Sequence, residues 1–171
     1  MGCTIANDTL LGCAAVVGIT TVWVGTYNGT SMGFTVGSTQ SLITAFTGAT
    51  VSFYQLQQQP SAAEFTSPAS INVQNNATGY TQTLTFMLYA MSAATSNTLQ
   101  ILGQGIFRVI FLTRQGKYFM MGINAQCNVT AIAGGSGVGL SDLNGHNITI
   151  TSEDYVPYYE VTAAAAASVL Q

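Results

Sequence analysis

The strongest local pattern in the chain is a pair of apolar, β-branched and aromatic runs at residues 106–112 and 117–122. The link between them, Thr113-Arg114-Gln115-Gly116, is short and ends in glycine. Runs of this composition on either side of a short glycine-containing link are typical of a β-hairpin. The sequence therefore predicts two antiparallel strands here.

Further runs with apolar and polar residues in alternation indicate that most of the chain is β-structure. The predicted strands are residues 19–27, 50–57, 70–74, 80–89, 125–132 and 147–151. Trp23, the single tryptophan, is predicted to anchor the core from the first of them. In the strand at 80–89, Leu84, Phe86 and Leu88 fall on one side, so that side is predicted to face the core.

Residues 92–102 carry the best helical pattern, with Ser92 as the N-cap, an apolar stripe through Leu99 and Leu102, and Gly103 as the stop. Residues 134–139 are glycine-rich and predict a flexible connection, and Asn144-Gly145 predicts a turn. The order is strands, one helix, then strands. This is a mainly β fold with one short flanking α-helix.

The length of 171 residues fits one domain, which we assign to residues 1–162. The remaining residues, 163–171, form an alanine-rich C-terminal tail. The sequence leaves three structures open for this tail: a helix, an arm laid on a neighbouring subunit, or disorder.

Charged residues are scarce, at 5% of the chain against roughly 25% in ordinary globular domains. The polar surface must consist of Thr, Ser, Asn, Gln and Gly, which hydrogen-bond across a subunit contact without a large charge-desolvation cost. Such a surface suits permanent assembly. A secreted or surface β-protein that is merely rich in Thr and Asn would have the same composition, so composition leaves both possibilities open.

The net charge of −3 argues against nucleic-acid binding, because phosphate binding needs clustered Lys and Arg. A neutral or mildly acidic wall would instead suit a conduit through which DNA slides without adhering. Residues 1–8 lack the positive region of a signal peptide, and no apolar run reaches the roughly 18 residues that a membrane helix needs. The sequence thus predicts neither secretion nor a helical membrane span.

The chain shows no constellation that would support catalysis. His146 is the only histidine and is predicted to lie in a surface turn, so Ser136 and Ser141 have only one weak candidate for a base. The glycine-rich segment lacks the Lys-Ser/Thr of a phosphate-binding loop. We predict that the protein is not an enzyme and has no catalytic or cofactor-binding residues.

Metal binding is not predicted either. Asp142, Glu153 and Asp154 lack the alternating carboxylate spacing of a calcium loop, and Asp142 is expected to stabilise its own turn. The three cysteines, Cys3, Cys13 and Cys127, are odd in number and lack a CxxC or His-rich neighbourhood. They are predicted to be free thiols.

A longer pattern resembles a known family. The residues that carry it are the strand Tyr80-Thr81-Gln82-Thr83-Leu84-Thr85, the hairpin at 107–122, and the run GVGLSDLNGHNITIT at 137–151, followed by Glu153 and Pro157. The chain resembles small tail-tube or tail-ring proteins (head–tail connectors) of tailed phages that infect Bacteroidetes, including crAss-like phages. It departs from that family at His146, where an aromatic residue is usual, and at Ser152, where glycine is common.

The resemblance implies a tail-tube-like β-sandwich or barrel whose copies join their sheets into a ring, often six- or twelve-fold, that stacks or docks at the head–tail junction. The implied function is that of a structural virion protein, assembled in the host cytoplasm, with itself and other tail proteins as partners and DNA as passing cargo. Ring closure would also protect exposed sheet edges.

Residues 134–139 and 38–50 are the predicted inter-subunit contacts. The main alternative is a capsid-decorating, fibre or surface-adhesin β-sandwich that binds a ligand, followed by a secreted carbohydrate-binding module. A binding module should present exposed aromatic residues together with carboxylates, and the sequence shows no such cluster.

Overall fold

The computed structural model describes residues 17–27, 32–37, 41–48, 52–56, 58, 62–75, 77–89, 91–139 and 144–171. Within them the chain forms twelve strands and two helices. The strands are β1 (Ile19–Thr26), β2 (Met32–Val36), β3 (Leu42–Gly48), β4 (Tyr54–Leu56), β5 (Glu64–Thr66), β6 (Ala69–Asn72), β7 (Ala77–Tyr89), β8 (Phe107–Thr113), β9 (Tyr118–Met121), β10 (Asn128–Gly135), β11 (Gly145–Asp154) and β12 (Tyr159–Val161); the helices are α1 (Ala93–Gln104) and α2 (Ala163–Ala167).

The strands form two sheets that pack face to face. The larger has seven strands in the order β2-β3-β12-β9-β8-β1-β4, and the smaller has five, ordered β10-β11-β7-β5 with β6 also paired to β7. The two sheets remain separate and do not close into a barrel. The prediction of a mainly β fold with a short helix is confirmed, in the form of a sandwich.

The predicted hairpin is β8–β9. The two strands pair antiparallel from Val109 opposite Met121 to Leu112 opposite Tyr118. The link closes through a hydrogen bond from the Gly116 N–H to the Thr113 carbonyl, 2.9 Å long. Gly116 has a φ of +77°, which glycine adopts without the steric cost that a side chain would add.

The larger sheet is buried on both faces at its centre. Val22 of β1 and Val109 of β8 pack toward the smaller sheet, whereas Trp23 and Ile110 pack on the opposite side, beneath α2. All four side chains are buried. The prediction that Trp23 anchors the core is confirmed.

Strand β7 shows the predicted two-faced pattern. Leu84, Phe86 and Leu88 are buried against the larger sheet, and the alternate residues, such as Thr83 and Thr85, are half-buried on the other side. The strand begins at Ala77, three residues before its predicted start at Tyr80. Pairing of Ala77 with Asn72 of β6 extends it.

Helix α1 confirms the predicted N-cap, since the Ser92 hydroxyl accepts a hydrogen bond from the Thr95 N–H at 3.0 Å. The prediction that Gly103 ends the helix is wrong. The helix continues to Gln104 and is capped by Gly105, whose N–H donates to the Ile101 carbonyl. A Cβ at Gly103 would lie 3.9 Å from Ile132 Cδ1 of β10, an ordinary van der Waals contact, so the helix approaches that strand without requiring glycine at this position.

Two local predictions within residues 134–145 are wrong. Gly134 and Gly135 belong to β10 rather than to a flexible connection, because they pair with His146 and Gly145. Asn144-Gly145 is not a turn that precedes the strand, since Gly145 already pairs with Tyr89. A Cβ at Gly145 would collide with the Leu88 carbonyl, so close approach of the neighbouring strand explains this glycine.

The C-terminal residues form part of the domain core. Thr162 caps α2, and Ala165 and Ala166 are buried against the larger sheet. The chain then returns to Phe53, whose carbonyl accepts a hydrogen bond from the Gln171 N–H at 2.9 Å. Of the three possibilities that the sequence left open for residues 163–171, the structure has the helix.

Candidate assembly surfaces

The outer face of the smaller sheet is a regular array of threonines. Cross-strand pairing aligns Thr66, Thr83 and Thr151 in one row, and Glu64, Thr85 and Thr149 in the next. Their alternate neighbours on each strand point into the core, so these five hydroxyl-bearing side chains share one surface. We call this set of five residues the threonine face. Its hydroxyls can hydrogen-bond to water or protein without carrying charge.

Strand β10 ends this sheet with an open edge. It pairs with β11 on one side, and no described strand pairs with its other side. Its eight residues, Asn-Val-Thr-Ala-Ile-Ala-Gly-Gly, include no charge and no proline, and most of them are exposed. Proteins usually protect such edges with Lys, Pro, bulges or a covering element. The β10 edge has a register shift between Val129 and Ala131, and helix α1 approaches it at Ile132, but it carries no charge and no proline. Its backbone groups are therefore suited to pairing with another strand.

The opposite edge of the same sheet is less regular. Strands β5 and β6 both pair with β7 and are separated by Ser67-Pro68. Glu64 lies on β5, and all four residues of β6 are exposed, with Ile71 at 67%. The smaller sheet thus has two different edges, one long and uncharged and one interrupted by proline.

The two predicted contact segments differ in structure. Residues 136–139 are exposed and continue from the end of β10, with Gly137 at a φ of +69°. Within 38–50, residues 38–40 and 49–50 lie outside the described residues, and the rest includes β3, an interior strand of the larger sheet. Ile43 on β3 is buried, and Thr44, Ala45 and Thr47 are exposed.

His146 is the second residue of β11, which lies between β7 and β10 in the smaller sheet. The prediction that it lies in a surface turn is therefore wrong. It pairs with Leu88 on one side and Gly134 on the other, and its ring occupies the space that a side chain at Gly134 would need. Ser136 donates its hydroxyl hydrogen bond to the Gly137 carbonyl. Ser141 and Asp142 lie outside the described residues.

The Glu153-Asp154 pair does not converge on a common point. Asp154 is buried, and its Oδ1 accepts hydrogen bonds from Asn124 Nδ2 at 2.8 Å and from the Tyr155 N–H at 2.7 Å. Glu153 is exposed on the opposite face of β11. Asp154 therefore fixes the turn between β11 and β12. In the part of the chain that the structure describes, no three His, Cys, Asp or Glu side chains cluster as metal ligands.

An apolar groove opens where the smaller sheet stops above the larger one. The sheet ends at β5, whose Phe65 ring lies 4.9 Å from that of Phe111, while the larger sheet continues to β9 and β12. Phe119 follows at 5.7 Å from Phe111, and Tyr158 contacts Phe119 edge-on at 5.5 Å. The groove that these rings line has a volume of about 530 Å³. We call it the aromatic groove.

The remaining wall of the aromatic groove is formed by residues from other segments. They are Gly18, Ile19, Ala63, Glu64, Ser67, Thr113 and Pro157. Sequence reasoning did not find this cluster of aromatic side chains with a carboxylate, because its members lie in separate segments that only the sandwich brings together.

Comparison with known proteins gives no family for the chain. No protein-family model matches it, and no curated protein is significantly similar to it. Among the described residues, no helix has the length and apolar character needed to cross a membrane.

Proposed function

We propose that the protein is a non-enzymatic structural subunit that assembles with copies of itself into a ring or tube of a phage tail. The observation that carries the proposal is the open edge of β10, eight uncharged residues at the end of the sheet that bears the threonine face. Exposed backbone N–H and C=O groups on such an edge are a template for another strand. A permanent neighbour would satisfy them.

A second copy is the partner that fits this edge, because the other end of the same sheet also has an exposed edge, at β5 and β6. Joining β10 of one copy to β5 or β6 of the next is a head-to-tail contact between two different surfaces. Such contacts generate closed rings when the rotation per subunit divides a full turn. The scarcity of charge keeps the desolvation cost of this contact low.

The threonine face then becomes a continuous surface of the ring, and we assign it to the DNA conduit. None of the three basic residues is on it. Arg108 is buried on β8, Lys117 pairs with Glu160 at 3.1 Å, and Arg114 lies in the hairpin link of the larger sheet. Because the threonine face carries no Lys or Arg, phosphates of the DNA would release no counterions on contact with it. DNA can pass without adhering.

Substitution of Ala133 by Lys tests the edge contact. Ala133 is exposed on β10, and a lysine on an edge strand disfavours further pairing. We expect the unmodified protein to form rings or tubes of constant diameter by negative-stain imaging, and A133K to elute as a folded monomer. Q115K is the matched control, since it adds the same charge at the exposed hairpin link.

A strict monomer at high concentration for the unmodified protein would refute the proposal. Equal assembly of A133K and the unmodified protein would refute the role of the β10 edge while leaving self-assembly in place. Circular dichroism of both variants establishes that they are folded. Six- or twelve-fold symmetry in averaged images is the expected stoichiometry.

The aromatic groove favours the second candidate, a capsid-decorating, fibre or surface-adhesin β-sandwich that binds a ligand. Aromatic faces beside a carboxylate are a common arrangement in ligand pockets of this size. Saturable binding of a glycan or small molecule to a monomeric protein, lost on Phe119→Ala, would support this candidate over the ring. Assembly unaffected by Phe119→Ala would support the ring.

A further inference from the structure

The aromatic groove lies beside the sheet edge that the proposed ring contact uses. Phe65 of β5 packs on Phe111 of β8, and β5 ends the described part of the smaller sheet on that side. Beyond it the larger sheet continues through β9 and β12, where Phe119 and Tyr158 form the floor of the groove. A strand added beside β5 would therefore lie above these two rings.

The strand directions allow β10 of a second copy to be that added strand. β10 runs antiparallel to β11, β11 to β7, and β7 to β5, so β10 and β5 run in opposite directions. In a ring whose copies keep a common strand direction, β10 of one copy meets β5 of the next as an antiparallel pair. The side of β10 that faces its own core then also faces the larger sheet of the neighbour.

Ile132 is the exposed side chain of β10 that points to this side. It lies opposite Ile148, which is buried between the sheets, and residues opposite each other on paired strands share a face. Helix α1 approaches Ile132 at Gly103, yet 39% of the Ile132 surface remains exposed. Neither β10 nor α1 carries a charged residue. The open edge thus presents an isoleucine directed between the sheets.

We propose that Ile132 of one copy enters the aromatic groove of the next, so that the groove forms part of the contact between subunits. This inference rests on the proposed ring assembly and names a second copy of the chain as the occupant. Aromatic side chains are enriched at the cores of protein interfaces. The backbone hydrogen bonds of the edge join the copies, so loss of one groove ring, as in Phe119→Ala, leaves assembly in place.

A labelling test reports whether assembly covers the groove. In a C3S/C13S background, Tyr158→Cys places a thiol at the groove floor, where Tyr158 is 47% exposed, while Cys127 is buried. A maleimide should react with this thiol at least several-fold more slowly in rings than in the A133K variant that carries the same substitution. Tyr155→Cys is the matched control, because Tyr155 is exposed in the same segment and does not line the groove. Its labelling rate should not change on assembly.

The outcomes separate this inference from the proposed function. Rings in which the Tyr158→Cys thiol reacts as fast as it does in A133K would overturn the inference and leave ring assembly in place. Slow labelling in A133K as well would also overturn it, because the groove would then be covered within one copy. Equal protection of the Tyr155→Cys thiol would overturn it too, since the covered surface would not be the groove. Absence of rings in the unmodified protein would refute the proposed function itself.

Photocrosslinking tests whether Ile132 is the residue that enters the groove. Ile132→p-benzoylphenylalanine should give, on irradiation of rings, crosslinked dimers whose linked peptides contain Phe119 or Tyr158. Ala131→p-benzoylphenylalanine is the control, because Ala131 lies opposite Thr149 and points to the threonine face. We expect at least several-fold more of these dimers from position 132, and equal yields would overturn the inference. The labelling test leaves Ile132 unchanged and decides the outcome if the bulky side chain prevents assembly.

Discussion

Individual contacts hold the polar groups of two buried side chains, Arg108 and Tyr159, although Arg108 Nη1 has no hydrogen-bond partner among the described residues. Arg108 is 3% exposed, donates from Nε to the Gly122 carbonyl at 3.3 Å and stacks on Tyr27 at 4.7 Å from the ring centroid. Burial raises the pKa of the Tyr159 hydroxyl, which hydrogen-bonds Asn124 at 3.0 Å. Each of these contacts joins a strand residue to the segment that follows a neighbouring strand.

The burial of Cys127 predicts how fast its thiol reacts. Burial raises the pKa of its thiol to about 12, so very little thiolate exists near pH 8. In a C3S/C13S variant, where Cys127 is the only thiol, we expect iodoacetamide to label the protein slowly at pH 8 when it is folded and rapidly in guanidinium chloride. Equal labelling rates, followed by mass spectrometry, would contradict the buried position.

The same pKa shift sets the sign of a pH effect. The unfolded thiol titrates near its ordinary pKa of 9.0 and the folded one near a pKa of about 12. Between pH 9 and 12 the Cys127 thiol therefore keeps its proton in the folded protein and loses it in the unfolded chain. The contribution of the protonated, buried thiol to the free energy of unfolding is complete below pH 9 and is lost as the pH rises toward 12.

At the level of elements, alternation in the sequence predicted the strands whose two faces differ. The β8–β9 hairpin and the apolar side of β7 followed directly from the spacing of their residues. The alternation pattern was less informative at glycines that lie close to a neighbouring strand. Gly134 and Gly145 suggest a loop and a turn, but both lie in strands. Glycine is needed at these positions because the His146 ring and the Leu88 carbonyl leave no space for a side chain. That information lies in the partner strand.

Helix α2 and the aromatic groove show a second limit of sequence reasoning. Five alanines fit a helix, an arm or disorder equally well, and contact with the larger sheet selects the helix. The groove joins Phe65, Phe111, Phe119 and Tyr158, which are distant along the chain. Such clusters depend on which strands become neighbours, and local periodicity does not determine that pairing.

The packing of α2 is tested by two substitutions within one short helix. Ala166 is fully buried and Ala164 is exposed. Ala166→Asp places a carboxylate in an apolar site and should lower the free energy of unfolding by several kcal/mol, about 3 or more, while Ala164→Asp should change it by roughly 0.5 kcal/mol or less. Urea denaturation provides the comparison, and similar midpoints for the two variants would show that α2 does not pack as described.

For the whole molecule, the scarcity of charge can be related to where the charged residues lie. Arg108 is buried, Lys117 is paired with Glu160, and the open edge of β10 has no charge at all. Contacts made through that edge would depend on backbone hydrogen bonds and apolar side chains. These interactions are far less sensitive to ionic strength than ion pairs between exposed groups.

Assembly through the β10 edge should therefore persist across a wide range of salt. We expect the proportion of assembled protein, measured by sedimentation velocity, to change little between about 0.05 M and 1 M sodium chloride, although the Debye length falls from more than about 10 Å to about 3 Å over this range. Disassembly at high salt would mean that ion pairs between copies, and not the uncharged edge, hold the subunits together.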